Sequence, residues 1–166
     1  MKKIILLCCI LMCTSCGVIG EHASFEHPSS LGLSVNLETI FADIDNYQAY
    51  YSSASYNPSA LLFVPKNSPY KVIPETKGIK MGWHPVADLK EIKKMQKVIL
   101  DRDRLSNPVV WALMSPDLPE TGKRVVLGYI YTIKSTYARS VPGEKNTFMV
   151  LSIPEILGKY TEKRLK

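Results

Sequence analysis

Within the strand-like run 124–133, residues 125–131 are apolar on whichever face a strand presents. Val125, Leu127, Tyr129, Tyr131 and Ile133 share one side at a period of two, and Val126, Gly128 and Ile130 share the other. A strand without a polar face has to be covered on both sides, so this segment is expected inside a sheet. Three further runs rich in β-branched and aromatic residues accompany it, at 109–114, 136–141 and 147–153, separated by turn chemistry after Asn107-Pro108. Pro142-Gly143-Glu144-Lys145-Asn146 closes the last hairpin, and Pro154 ends the last strand or opens a short helix through Lys159. The arrangement expected is an antiparallel β-meander of about four to five strands.

Two helices are expected against it. Leu89, Ile92, Met95, Val98 and Ile99 make one apolar face over 89–103, with Lys90, Lys93, Lys94 and Lys97 opposite. Asp88 stands at the N-cap, and Glu91 completes a capping-box-like pair. Leu37, Ile40, Phe41, Ile44, Tyr47, Gln48 and Tyr51 recur at helical spacing behind Asn36, and predict a helix over 37–51. Residues 61–64 read as a short buried strand. Pro69, Pro74, Gly78 and Gly82 break the stretch 66–83 into loops with one or two short strands. The class is therefore α+β, in a single domain over residues 36–166. With 46% of residues hydrophobic, a domain of that length builds a core without disulfides.

All four cysteines, Cys8, Cys9, Cys13 and Cys16, fall in the first sixteen residues. That excludes a disulfide scaffold, a Cys-ligated metal site and a Cys nucleophile from the rest of the chain. Lys2 and Lys3 precede an unbroken apolar run at 4–12. As a helix it rises only about 14 Å against the roughly 30 Å of a bilayer core, so it reads as a secretory signal and not as a permanent span. The residues Thr14-Ser15-Cys16-Gly17 resemble a bacterial lipoprotein signal, in which lipid is attached to the cysteine and the chain is cut just before it. The resemblance implies a signal peptide at 1–15 and acylation, palmitate included, at Cys16. It also implies anchorage by two or three chains, which hold stably at about 0.8 kcal/mol per buried CH₂. Gly17, in place of the aspartate linked to inner-membrane retention, implies the periplasmic face of the outer membrane in a Gram-negative cell. Residues 16–35, small and polar with Gly17, Gly20, Ser24, Pro28 and Gly32, are expected to form a flexible tether about 25 Å long on average.

Charge is divided along the chain. Residues 16–65 hold five acids and no Lys or Arg, whereas residues 66–166 hold nineteen basic and ten acidic groups. A basic body on an acidic stem suits an anionic envelope partner, whether protein, glycan or lipid headgroup, and equally suits a merely soluble surface. Nucleic acid is not expected as a partner in that compartment.

Catalytic motifs are missing. His84 is the one histidine of the body, between Trp83 and Pro85, with no G-x-S-x-G elbow or H-E-x-x-H zinc motif to use it, so a turn histidine beside a packed tryptophan is expected. Glu21-His22 and Glu26-His27 carry metal-ligand chemistry, but in a stretch whose ordering would cost entropy at every residue. Leu118-Pro119-Glu120-Thr121-Gly122 matches a sortase sorting pentapeptide, yet no hydrophobic span and basic tail follow it, and a loop between strands explains the same letters. Asp43-Ile44-Asp45-Asn46 lacks the glycine and closing glutamate of a calcium loop. No metal, cofactor or catalytic residue is therefore expected. Tyr47, Tyr50, Tyr51 and Tyr56 suit stacking on sugar rings or a proline-rich segment, but helical spacing turns Tyr47 and Tyr51 inward, so the candidate binding residues are Tyr50 and Tyr56 with Trp83 and His84. The function expected is that of a non-enzymatic binding or assembly module of the cell envelope. The alternative is a periplasmic hydrolase of cell-wall material that uses paired carboxylates.

Overall fold

The computed structural model describes residues 25–54, 57–77, 81–105, 109–133 and 136–152. The lipidation site Cys16, the candidate Tyr56 and the helix expected after Pro154 lie outside the described residues.

The described chain is α+β. Its elements are β1 (Phe25–Glu26), α1 (Leu37–Ala42), β2 (Tyr47–Ala54), β3 (Asn57–Pro65), β4 (Lys71–Pro74), β5 (Thr76–Lys77), β6 (Met81–Val86), α2 (Leu89–Asp103), β7 (Val110–Met114), β8 (Val126–Tyr131), β9 (Thr136–Ser140) and β10 (Thr147–Ser152). Seven strands form an antiparallel sheet in the order β1-β7-β8-β3-β2-β6-β5. Three form a second sheet, β4-β10-β9, in which β4 runs parallel to β10. Both faces of the large sheet are covered. Leu37, Ile40, Ile92 and Ile99 of the helices pack with Ala49, Leu61, Phe63, Tyr129 and Tyr131 on one. Ala138, Phe148 and Val150 of the small sheet pack with Leu62, Trp83, Leu113, Leu127 and Ile130 on the other. The layers are helix, sheet, sheet.

The strands of the C-terminal half lie within a residue or two of their expected places, but they are shared between the sheets. The β7–β8 hairpin belongs to the large one and the β9–β10 hairpin to the small one. β8 is an interior strand, between β7 and β3, as its apolar faces require. Its alternation is broken once: Leu113 pairs with Gly128 and Met114 with Val126, so Leu127 is the extra residue of a bulge. Tyr129 and Tyr131 therefore face the helices, while Val125 and Leu127, expected beside them, face the small sheet. Gly128 lies at the bulge, where a Cβ would sit 2.6 Å from the Phe63 carbonyl oxygen of β3.

α2 has the expected limits. Asp88 Oδ1 accepts from Glu91 N at 2.8 Å, Glu91 Oε2 accepts from Ala87 N at 3.2 Å, and Arg104 closes the helix with a φ of 50°. Ile92 and Ile99 are buried; Val98, expected on the same face, is 39% exposed.

The helix expected over 37–51 stops at Ala42. Asn36 and Thr39 exchange reciprocal capping hydrogen bonds of 2.9 Å, a 3₁₀ turn follows at Ile44–Asn46, and Tyr47 opens β2. β2 is paired along both edges, with β3 and with β6, and that long-range pairing outweighs the weak helical preference of a Tyr- and Ser-rich segment. A spacing of four residues fits both periods, so Tyr47 and Tyr51 still share a face, with Ala49 between them.

Residues 25–35, expected in the tether, belong to the fold, and residues 16–24 lie outside the described residues. β1 pairs with β7, Pro28 is buried at the start of a 3₁₀ turn, and Gly32 ends that turn with a φ of 70°. Leu31, Leu33 and Val35 pack on the helix-side core and Phe25 on the other. Proline and glycine act here as turn formers, and the scattered apolar residues around them are half-buried.

Candidate functional site

Tyr50, Trp83 and His84 come from the neighbouring strands β2 and β6, but strand alternation separates them. Trp83 is fully buried between the sheets, and Tyr50 packs against that same core. His84 points to the opposite face. It lies on a strand and not in the expected turn, its Nε2 is 3.0 Å from Ser53 Oγ, and its ring centroid is 5.2 Å from that of Tyr51. Ser53 is 1% exposed, which withholds this serine and histidine pair from a substrate.

Several acids are held in capping and ion pairing. Asp88 and Glu91 cap α2. Glu26 pairs with Arg124 at 2.6 Å, Glu120 with Lys145 at 2.7 Å, and Glu144 with Lys71 at 3.7 Å. Among the described residues no group of three His, Cys, Asp or Glu side chains converges. His27 accepts from Ser29 N at 3.3 Å at the 3₁₀ turn and stands edge-on to Trp111, with ring centroids 5.8 Å apart. Residues 118–122 form a turn, in which Gly122 N donates to Leu118 O at 2.8 Å. The outer face of α2 exposes Lys90, Lys93, Lys94 and Lys97, and Lys93 Nζ lies 5.7 Å from the Phe41 ring centre.

A surface hollow of about 390 Å³ lies between Leu118–Glu120 and the β9–β10 turn, where the Glu120–Lys145 ion pair bridges its walls. A more apolar cleft of about 270 Å³ opens where α2 ends beside the start of β7 and the end of β8. Its walls are Asp103, Leu105, Val109, Trp111, Tyr131, Thr132 and Ile133. Val109 and Ile133 are 40% and 38% exposed, which leaves two large aliphatic side chains at its rim in contact with water. Thr132 has a φ of 63°, costly for a β-branched residue, and its Oγ1 donates to the Ser59 carbonyl in the neighbouring strand.

The Tyr131 hydroxyl is buried behind this wall and is not open to the cleft. Tyr131 is fully buried, and among the described residues no group hydrogen-bonds to its oxygen. Burial, with the negative charge of Asp103 added to it, raises the hydroxyl above the ordinary pKa of 10.0, so it is a protonated donor at neutral pH. Asp103 is itself paired with Arg102 at 2.9 Å. The cleft thus combines an apolar lining with an exposed aliphatic rim, the composition of a site for a small apolar group. Three separate stretches of chain build it. By sequence alone Tyr131 and Ile133 belong to a strand face, and none of these walls stands out as a binding residue. The weak available signal was the aliphatic pair Val109 and Ile133 at the ends of strand-like runs.

No protein-family profile matches this chain, no curated protein resembles it in sequence, and no solved structure matches its fold.

Proposed function

We propose that this chain is a lipid-anchored protein of the bacterial cell envelope, held through acylated Cys16, that binds an envelope component without transforming it. The Thr14-Ser15-Cys16-Gly17 sequence supports the anchor, and the outer-membrane periplasmic face is its favoured location in a Gram-negative cell. The apolar cleft between Asp103 and Ile133 carries the binding reading, because it exposes aliphatic surface where a soluble domain gains nothing by doing so. The lysine row of α2 supplies the complementary attraction for an anionic component.

Two measurements test this. Cys16→Ala abolishes partitioning of the protein into a detergent phase; a variant that still partitions removes the anchor. A photo-crosslinking side chain at Val109 or Ile133, activated in the native membrane, captures an envelope component that a crosslinker at exposed Lys123 does not. Identical capture at all three positions removes the cleft as the recognition element.

A further inference from the structure

We infer that the occupant of the cleft is this chain's own segment 153–160, docked with Ile156 and Leu157 against Leu105, Val109, Trp111 and Ile133. Those eight residues lie outside the described ones. The inference goes beyond the proposed binding, and rests on that reading only for the component that competes for the same space. Three observations identify the occupant. The first is where the described chain leaves the fold. β10 runs to Ser152, which pairs with Thr136 at the start of β9, and Thr136 stands three residues after Ile133 of the cleft rim. Paired Cα atoms are about 5 Å apart and three residues span at most about 11 Å, so Ser152 lies within about 16 Å of Ile133. Counted from Ser152, Ile156 to Tyr160 reach about 6–12 Å as a helix and at most about 14–29 Å as extended chain, which brackets that gap.

The second observation is pattern. Ile153, Ile156, Leu157 and Tyr160 recur three and four apart, the spacing of one helix face, and Ser152-Ile153-Pro154-Glu155 is a sequence that opens a helix. An apolar face needs cover. Among the described residues three large hydrophobic side chains are exposed, and two of them, Val109 and Ile133, stand at this rim. The third observation is size. A volume of about 270 Å³ falls just under the range of about 300–1,000 Å³ usual for whole small ligands, so the cleft takes a few side chains and not an entire ligand. Chain continuity adds to this. A segment joined to its site by a few residues is present there at an effective concentration of about millimolar, so apolar contacts too weak to hold a free molecule still close the cleft. The protein alone then keeps its cleft covered, and an envelope component has to displace residues 153–160 to enter.

The test uses the full chain purified in detergent, with a photo-crosslinking side chain at Val109 or Ile133 and no envelope fraction present. Irradiation is expected to join either position to a peptide within residues 153–160 of the same chain, whereas a crosslinker at exposed Lys123 does not reach it. Ile156→Asp with Leu157→Asp is expected to lose that internal crosslink. Glu155→Gln with Lys159→Gln, which leaves the apolar residues in place, is expected to keep it. In native membranes the aspartate variant is expected to raise capture of the envelope component about tenfold, the factor withheld by a cleft that is open about a tenth of the time. No internal crosslink, an equal one from Lys123, or one that survives the two aspartates overturns the docking and leaves the proposed recognition to its own capture experiment. Crosslinking to a second copy or to a co-purified small molecule in place of 153–160 also overturns it and identifies the occupant. Envelope capture that is present and equal in the aspartate variant and the unaltered protein overturns the cover. An internal crosslink with no envelope capture in either protein supports the docking and removes the recognition reading.

Discussion

Gly128→Ala tests how closely the two interior strands β8 and β3 approach. The added methyl would lie 2.6 Å from the Phe63 carbonyl oxygen and 3.4 Å from its carbon, so the collision is with backbone and not with a side chain that can turn away. β3 cannot withdraw cheaply, because it is paired on its far side with β2 from Asn57 to Pro65. Forcing a methyl into a packed interior costs about 1–3 kcal/mol, and contact with a fixed carbonyl belongs at the upper end. Burial of the methyl returns about 0.8 kcal/mol at best, because an overpacked site does not receive it in full, and the stiffer unfolded chain returns a further few tenths. The expected net loss is about 2 kcal/mol. With a denaturant slope of about 1–3 kcal/mol per molar in urea, the unfolding midpoint falls by about 1 M. Equilibrium urea unfolding followed by tryptophan fluorescence measures it. Gly143→Ala is the control: its φ of 80° is unfavourable for alanine but nothing lies within 4 Å of the new Cβ, so it loses only the conformational cost of about 1–2 kcal/mol. A midpoint for Gly128→Ala within about 0.2 M of the unaltered protein would refute the close approach and the bulge geometry with it.

On α2, Ile92→Ala is expected to lose about 2–5 kcal/mol and Val98→Ala less than about 0.5 kcal/mol by the same assay; comparable losses would mean that the helix is rotated from the orientation described. Asn36→Ala removes the cap of α1 and is expected to cost about 1 kcal/mol, with Asn36→Asp largely retaining stability; an unchanged midpoint in the alanine variant would show that the capping pair contributes nothing. Tyr131→Phe is expected to equal or exceed the unaltered protein in stability at pH 7, because an unsatisfied buried hydroxyl is lost, and a drop of more than about 1 kcal/mol would reveal a hydrogen bond to that hydroxyl. The raised Tyr131 pKa also fixes a pH effect. Its contribution is fully present below pH 10.0, and above that the unfolded phenol ionises first, so stability falls as pH rises toward the folded pKa by up to about 1.4 kcal/mol per unit. Urea midpoints at pH 9, 10 and 11 should decline more steeply in the unaltered protein than in Tyr131→Phe, and parallel declines would assign the effect to other groups.

Where local signals agreed, the fold was legible. Residues 89–103 carry a cap, a second acid in the first turn and a 3.6-residue apolar stripe, and the helix has those limits. The later strands were legible for a similar reason, each being a β-branched or aromatic run between turn formers. Residues 47–54 were not, because apolar and aromatic residues four apart satisfy a helical stripe and a strand face alike, and only pairing with β3 and β6 decides between them. The bulge at Leu127 had no local mark either. It follows from the register of β8 against β7, and one unpaired residue moves Val125 and Leu127 from the helix-side core to the other. The N-terminal stretch misled in the opposite direction: Pro28 and Gly32 suggest a loose chain by composition, yet they fold Phe25, Leu31 and Val35 onto the two cores.

The candidate site was less legible than the fold, and the cause is geometric. Trp83 and His84 are adjacent in sequence and so look like one aromatic feature. In a strand, adjacency is what places two side chains on opposite faces, and one became core while the other turned to Ser53. The cleft reverses that relation: Leu105 and Trp111 are remote in sequence from Tyr131, and they meet because the end of a helix abuts two strand ends. Tyr131 also shows why burial alone does not reveal such a site. By period it belongs to the core face of β8, and its ring packs there beside Ile99 and Val110, so its apolar part satisfies every expectation of a core residue. Only the hydroxyl departs from them. A phenylalanine would fill the same space without that hydroxyl, which lies buried near the negative charge of Asp103. The aliphatic side chains of Val109 and Ile133, and not that hydroxyl, are what this corner of the fold presents to water.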